Sequence, residues 1–335
     1  MKKFTKGCLM TALILFLVGV VICGVSGLLG GFRQIREMDG IGGIPFGYHK
    51  SADGNWHLGF FHSNEEIGKD WEKERYLVIS EGQENGISMN ADAFTELDIE
   101  MADCFLYLEE SQDDQIRVYV TGDTLRYYWL ADGSTLCLRN AGKTKTHNND
   151  EVHVSLPADI TFRELEIDFG AGALVAVTPL NAQEMDIAIG AGECELMEVS
   201  ADEVDIAVGA GKLFVGALTA RTAESVVGAG ELIIEDIVSN DKLDLSIGMG
   251  TALVNGTILG DLSLDCGMGT AAMELTGSEN DHSYEVEVGM GEVHVGHHDH
   301  GGFAASRSWN SGKDSRFDIE CNMGSVTISF ENEHS

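Results

Sequence analysis

Acidic residues recur along the second half of the chain, mostly 19 or 20 residues apart. The series is Glu166, Asp186, Asp205, Glu224, Asp244, Ser263, Glu285 and Asp318. If its members lie on neighbouring strands, the carboxylates stand about 5 Å apart and repel, which raises their pKa values or recruits cations. Ca²⁺ prefers several carboxylate oxygens, so Asp186, Asp205, Glu224 and Asp244 are candidate calcium ligands. We favour a solvated acidic face that prevents aggregation, because the calcium-binding G-G-x-G-x-D repeat does not occur.

A second group with metal-binding side chains is the histidine-rich segment VHVGHHDHGG, residues 293–302. Imidazole nitrogens bind Zn²⁺ and other transition metals, which makes His297, His298 and His300 candidate ligands. Their spacing fits no helical metal motif and glycines flank them, so a solvated, mobile loop is the simpler interpretation. The sequence therefore predicts no required cofactor, with Ca²⁺ as the one candidate.

Five of the seven cysteines lie beyond the first thirty residues, and this odd number does not indicate a disulfide framework. Cys266 and Cys321 take the same position in two repeats that sequence order places two coils apart. We therefore expect their backbones about 9 to 10 Å apart, beyond the reach of a disulfide. Both are predicted to be small apolar core residues, as is Cys194.

The elements that would position these residues follow from an internal repeat. Alternating strand residues and then G-x-G recur in eight copies, the last with Asn322 in place of the first glycine. The copies close at Gly172, Gly192, Gly211, Gly230, Gly250, Gly269, Gly291 and Gly324. Apolar residues take every second place before the motif and resume one residue out of phase after it. The chain therefore turns a corner or bulges at the glycines.

A unit of this length cannot bury its own apolar face, but stacked units can. The middle residue of the motif is Ala in four consecutive repeats and Met in the next four, which suggests a column inside the rod. These residues are Ala171, Ala191, Ala210, Ala229, Met249, Met268, Met290 and Met323. The sequence therefore predicts an all-β fold, a single-chain parallel β-solenoid with coils of about 19 to 20 residues. Propeller blades need about 40 to 45 residues, twice this period.

One transmembrane helix is predicted to precede the solenoid. Three lysines come before an apolar run over 9–29, which is long enough to span a bilayer and leaves the N-terminus in the cytoplasm. A signal peptide cleaved near Ser26 is the alternative. We expect residues 1–30 to be the anchor with a short cytoplasmic end, 31–76 a juxtamembrane tether and 77–335 the solenoid. The solenoid would then lie outside the cytoplasm, at the cell membrane.

The charge balance limits the partners. With 21 Lys and Arg against 55 Asp and Glu, the net charge is −34. This excludes nucleic acid, because binding phosphates requires clustered cations, and disfavours anionic lipid headgroups. We expect contact with the membrane through the N-terminal helix, and an envelope protein or a glycan as partner. With 4 Trp and 7 Tyr in the chain, glycan is the weaker choice.

The segment VSLP at 154–157, followed by FRELEIDFGAGALVAV at 162–177 and the run of G-A-G and G-M-G repeats, resembles a bacterial family. This is the putative-adhesin family of β-strand repeats, a domain of unknown function, and the resemblance covers about 77–330. The segment 96–110 has the rhythm of 164–178 without its glycines, and this rhythm predicts an earlier, degenerate coil. The resemblance implies an adhesive role at the cell envelope and transfers no catalytic residues.

The predicted function is a membrane-anchored extracytoplasmic β-solenoid that serves as an adhesion, structural or partner-binding module at the surface. An envelope sensory or regulatory protein that acts through a membrane partner is the alternative. A polysaccharide-binding or polysaccharide-cleaving β-helix is a weaker one, because the repeats are too short for active-site loops and show no nucleophile–base pairing. We expect no enzymatic activity.

Overall fold

The computed structural model describes residues 46–50, 56–60, 77–79, 87–121, 127–140, 151–301 and 304–331. These residues form a two-stranded sheet and one 21-stranded sheet, and contain no α-helix. The prediction of an all-β fold is confirmed. The expected anchor at 1–30 and most of the tether at 31–76 lie outside the described residues. Within the described part of the chain, no helix has the length and apolar character to cross a membrane.

The strands are β1 (Phe46–Lys50), β2 (Trp56–Phe60), β3 (Leu77–Ile79), β4 (Ile87–Asn90), β5 (Glu96–Glu110), β6 (Gln115–Thr121), β7 (Tyr127–Asp132), β8 (Thr135–Asn140), β9 (Glu151–Leu156), β10 (Phe162–Ala176), β11 (Leu180–Ile189), β12 (Glu193–Val208), β13 (Lys212–Val227), β14 (Glu231–Ile247), β15 (Thr251–Ile258), β16 (Asp261–Cys266), β17 (Thr270–Leu275), β18 (His282–Val288), β19 (Glu292–Val295), β20 (His298–Gly301), β21 (Ala305–Trp309), β22 (Ser315–Cys321) and β23 (Ser325–Phe330). Two 3-10 turns, Ala91–Ala93 and Glu279–Asp281, complete the described elements.

The repeats stack in parallel, each displaced by one repeat length from its neighbour. Asp205 of β12 pairs with Glu224 of β13, which pairs with Asp244 of β14. Within a coil, alternate residues face inward, and Val204 and Ile206 are buried while Asp205 between them is not. The period-two pattern therefore places one side of every strand in a common core.

The segment Glu96–Glu110 is a true coil, as its rhythm predicts. It pairs in parallel with β10 from Glu96↔Glu164 to Leu108↔Ala176. Where β10 has its second glycine, this coil has Cys104. Gly172 has a φ of +99°, and a Cβ on it would lie 2.1 Å from the Cys104 carbonyl oxygen, so only glycine fits there.

The terminal coils do not follow sequence order. The last coil, β22 and β23, lies between β16–β17 and β18–β19, so that Ile319 pairs with both Leu264 and Val286. At the other end, β8 and β9 pair with β5 on the side away from β10. Antiparallel strands then cover both ends: β20 and β21 at one, β6 and β7 at the other. The sheet is therefore mixed, and only its inner coils are purely parallel.

This order overturns the expected separation of two cysteines. Cys266 and Cys321 are direct register partners on adjacent parallel strands, not two coils apart. Both are fully buried free thiols, which confirms their place in the core. The 9 to 10 Å estimate was wrong because it assumed that coils stack in sequence order.

The prediction that the middle motif residues form a column inside the rod is also wrong. The four methionines are 41% to 61% exposed, and Ala191, Ala210 and Ala229 are exposed as well. The phase slip at G-x-G explains the error. The chain turns its corner there, so the residue between the glycines points outward.

Candidate functional site

The acidic series forms one continuous column on the outer surface. In spatial order its members are Asp98, Glu166, Asp186, Asp205, Glu224, Asp244, Ser263, Asp318 and Glu285. Register pairing joins each member to the next. The column begins one coil earlier than the glycine repeat indicates, and its last two members exchange places because the final coil is inserted. We call these residues the acidic column.

A neighbouring row, two residues further along each strand, is acidic only at its ends. One end holds Glu100 and Asp168, and the other holds Asp265, Glu320 and Glu287. Between them stand Ala188, Ala207, Val226 and Ser246. Carboxylates are therefore most crowded at the two ends of this face.

This crowding perturbs the N-terminal end most strongly. Burial, followed by the charges of Glu100, Asp98 and Asp186, raises the pKa of Asp168 to about 6. Burial also leads the causes that raise the pKa of Glu166 to about 7, with Asp168 the largest charge contribution. Glu166 keeps a solvent-exposed side, so water screens part of this effect. Arg139 offsets some of the repulsion by donating to Asp98 at 2.8 Å.

Basic side chains form ion pairs with other members of the acidic column. Lys242 Nζ lies 2.7 Å from the Asp244 carboxylate. Arg316 reaches Glu285 at 2.5 Å and Asp318 at 3.2 Å. No group of three or more His, Cys, Asp or Glu side chains among the described residues is arranged to hold a metal ion. Calcium coordination by Asp186, Asp205, Glu224 and Asp244 therefore stays a prediction.

Part of the histidine-rich segment is a strand, because His298–Gly301 forms β20 and pairs antiparallel with β19. His300 pairs with Val293 across the β19–β20 hairpin and is only 5% exposed, with its ring 4.9 Å from Trp309. Trp309 in turn stacks on Tyr284 at 4.6 Å. Burial lowers the pKa of His300, which favours its neutral form. These rings cover the end of the core, a role the sequence reasoning missed although solenoid ends need caps.

The other two candidate histidines meet at a single carboxylate. His298 Nε2 lies 3.4 Å from Glu279 Oε1, and His297 Nδ1 lies 3.6 Å from Glu279 Oε2. Nearby, His294 Nδ1 lies 2.6 Å from Asp299 Oδ1. His298 also contacts the cap, because its ring lies 4.9 Å from Trp309 and 6.1 Å from the His300 ring, whereas the His297 side chain is 72% exposed. Metal binding by His297, His298 and His300 stays a prediction.

A row of exposed methionines is the surface feature that sequence reasoning placed wrongly. In spatial order it is Met249, Met268, Met323 and Met290, linked by backbone hydrogen bonds between successive corners. The last three line a shallow groove of about 400 Å³ together with Glu292 and Ser325. We call these four residues the methionine row.

The chain is an all-β repeat domain, because its parallel coils stack on one another, turn at glycine corners and are covered at both ends by antiparallel strands. A family model, Toastrack DUF4097, matches residues 94–329. The chain therefore belongs to the Toastrack DUF4097 family, which confirms the resemblance drawn from the repeat.

Solved structures with a similar fold include a putative adhesin from Parabacteroides distasonis, 16% identical, with a TM-score of 0.46 over 72% of this chain and 95% of that one. A putative adhesin from Parabacteroides merdae is 14% identical, with a TM-score of 0.43 over 72% and 94%. A putative lipid binding protein from Parabacteroides distasonis is 15% identical, with a TM-score of 0.34 over 74% and 98%. No curated protein matches the chain. Identities this low do not carry function.

Proposed function

We propose that this chain is a non-enzymatic binding module, a rigid β-solenoid held at the outer side of the cell membrane by a helix over 9–29. The observation that carries the proposal is the acidic column, which spans nine coils and has a carboxylate on every one except the coil of Ser263. Like charges at a fixed rung spacing suit an extended partner that presents several cationic groups. An envelope protein with a basic surface fits this requirement better than a glycan.

The absence of catalysis is part of the proposal. Most coils turn through short glycine corners, which leave no room for the long loops that build active sites on β-helices. The long insertion, residues 296–314, contributes β20 and β21 to the end cap.

The test is capture of envelope proteins by the full-length chain in detergent, with calcium and with a calcium chelator. The variant Asp205→Asn/Glu224→Gln/Asp244→Asn neutralises the middle of the acidic column. The control Glu193→Gln/Glu195→Gln/Glu198→Gln removes the same formal charge from outward positions elsewhere on the coil.

We expect the column variant to lose a captured protein that the control retains. Equal capture by both variants would refute the role of the column. Turnover of an acidic polysaccharide by the unmodified chain would refute the non-enzymatic assignment.

A further inference from the structure

The methionine row is unusual because packing of the core does not require a large side chain at the corner positions. The same corner position is Ala in four other coils, so the fold accepts a small side chain there. The methionines are also 41% to 61% exposed, and therefore contribute little to the core. The methionines expose apolar surface to water without adding contacts in the core, so their presence requires another chemical explanation.

The row is continuous in space although not in sequence. Met323 comes from the inserted last coil and lies between Met268 and Met290, as the hydrogen bonds Met323 N–H to Gly267 O and Met290 N–H to Asn322 O show. Without a methionine at 323 the insertion would break the series. Three thioethers from adjacent rungs therefore line the same groove.

We propose that the methionine row binds a soft monovalent metal ion, Cu(I) or its analogue Ag(I), through thioether sulfurs. Thioethers select Cu(I) over hard cations. Adjacent rungs are about 4.8 Å apart, and a linear two-coordinate site with metal–sulfur bonds of about 2.3 Å needs two sulfurs about 4.6 Å apart, so Met323 can share the ion with either Met268 or Met290. The unbranched methionine side chain has three rotatable bonds, so it can close this small difference.

The surroundings favour a cation. Glu292 lines the same groove as Met268, Met323 and Met290, and its carboxylate adds negative potential beside the sulfurs. The net charge of −34 raises the local concentration of cations at the surface. Cys266 and Cys321, the nearest competing soft ligands, are fully buried beneath the strands.

The experiment is anaerobic titration of the full-length chain with Cu(I), in competition with a chromophoric Cu(I) chelator, and titration with Ag(I) in chloride-free buffer. The test variant is Met268→Leu/Met323→Leu/Met290→Leu, which keeps the apolar surface but removes the sulfurs. The control is Met197→Leu, which removes an exposed methionine outside the row. NMR of the methionine methyl groups, compared between these variants, assigns the resonances that Ag(I) shifts.

We expect the triple variant to bind Cu(I) more weakly than the parent by about 10- to 100-fold or more, since loss of a residue that only supports a metal site already costs that much. The control should bind Cu(I) as the parent does. Methyl resonances of Met268, Met323 and Met290 should shift together with Ag(I). Unchanged Cu(I) affinity in the triple variant, or shifts confined to other methionines, would overturn the proposal. Partner capture through the acidic column is a separate measurement and is unaffected by either result.

Discussion

At the scale of single residues, the pKa of an outward carboxylate depends on which coil carries it. Asp168 pairs with Glu100 on one side and Ala188 on the other, and Asp98, Glu166 and Asp186 lie nearby. In the middle of the stack, the same row carries the uncharged residues Ala207, Val226 and Ser246. Charge crowding is therefore a property of position in the stack and not of residue type.

Asp168 makes stability depend on pH. Its pKa in the folded state, about 6, lies above its ordinary value of 3.8, so the folded protein binds the proton more tightly than the unfolded chain. Its contribution to the free energy of unfolding is thus lost as pH rises through about 6 and regained towards pH 4. We expect Asp168→Asn to reduce the change in unfolding free energy between pH 8 and pH 5 by on the order of 1 kcal/mol.

Denaturant unfolding at several pH values measures this effect. Glu195→Gln removes an outward carboxylate away from the crowded end and should leave the pH dependence as it is. A parallel shift of both variants would show that Asp168 has no special role.

Two buried serines provide a second residue-level prediction. Ser225 is 1% exposed, stands between Ile206 and Leu245, and its hydroxyl has no hydrogen-bond partner. Ser239 is equally buried but donates to the Lys242 carbonyl at 2.9 Å. We expect Ser225→Ala to raise the free energy of unfolding by about 1 kcal/mol and Ser239→Ala to lower it by about as much. Denaturant unfolding of both variants measures these changes. A change of the same sign in the two free energies of unfolding would contradict the prediction.

The paired core thiols should be chemically inert in the folded state. Burial raises the pKa of Cys266 to about 11 and raises that of Cys321 as well, so neither is a thiolate at neutral pH. We expect alkylation of both only after unfolding, as mass spectrometry of native and denatured protein would show. Rapid labelling of native Cys266 would mean that the coils separate locally.

At the scale of elements, the glycine corners set how closely the coils approach. A Cβ added to Gly230 would lie 2.3 Å from the Gly211 carbonyl oxygen, whereas one added to Gly301 would meet nothing within 4 Å. We expect Gly230→Ala to lower the free energy of unfolding by about 2 kcal/mol and Gly301→Ala to leave it nearly unchanged. Thermal melts of the two variants provide the comparison, and equal effects would argue against close packing at the corners.

The elements also show what sequence reasoning can reach. The period-two apolar pattern and the glycine spacing predicted the coils, the alignment of equivalent residues on neighbouring strands and most of the acidic column, because each of these depends on local alternation. The direction of the corner residues and the cap formed by His300 and Trp309 were not predicted. Both depend on how the chain turns between strands, and a spacing pattern does not contain that information.

At the scale of the whole molecule, the order of coils was the main surprise. A repeat specifies that each coil can pair with any similar coil, so the pattern alone does not choose a neighbour. The connection over 296–314 makes a different choice available, because it is long enough to cross the end of the stack and return. That return explains why Cys266 and Cys321 meet and why Met323 completes the methionine row.

The inserted coil has a consequence for synthesis of the chain. Since β22 and β23 pair with strands on both sides, residues 282–295 have no parallel neighbour until residues 315–330 have been made. A stop codon just before Ser315 would therefore remove one coil and also detach a second, β18 with β19, from the rest of the stack.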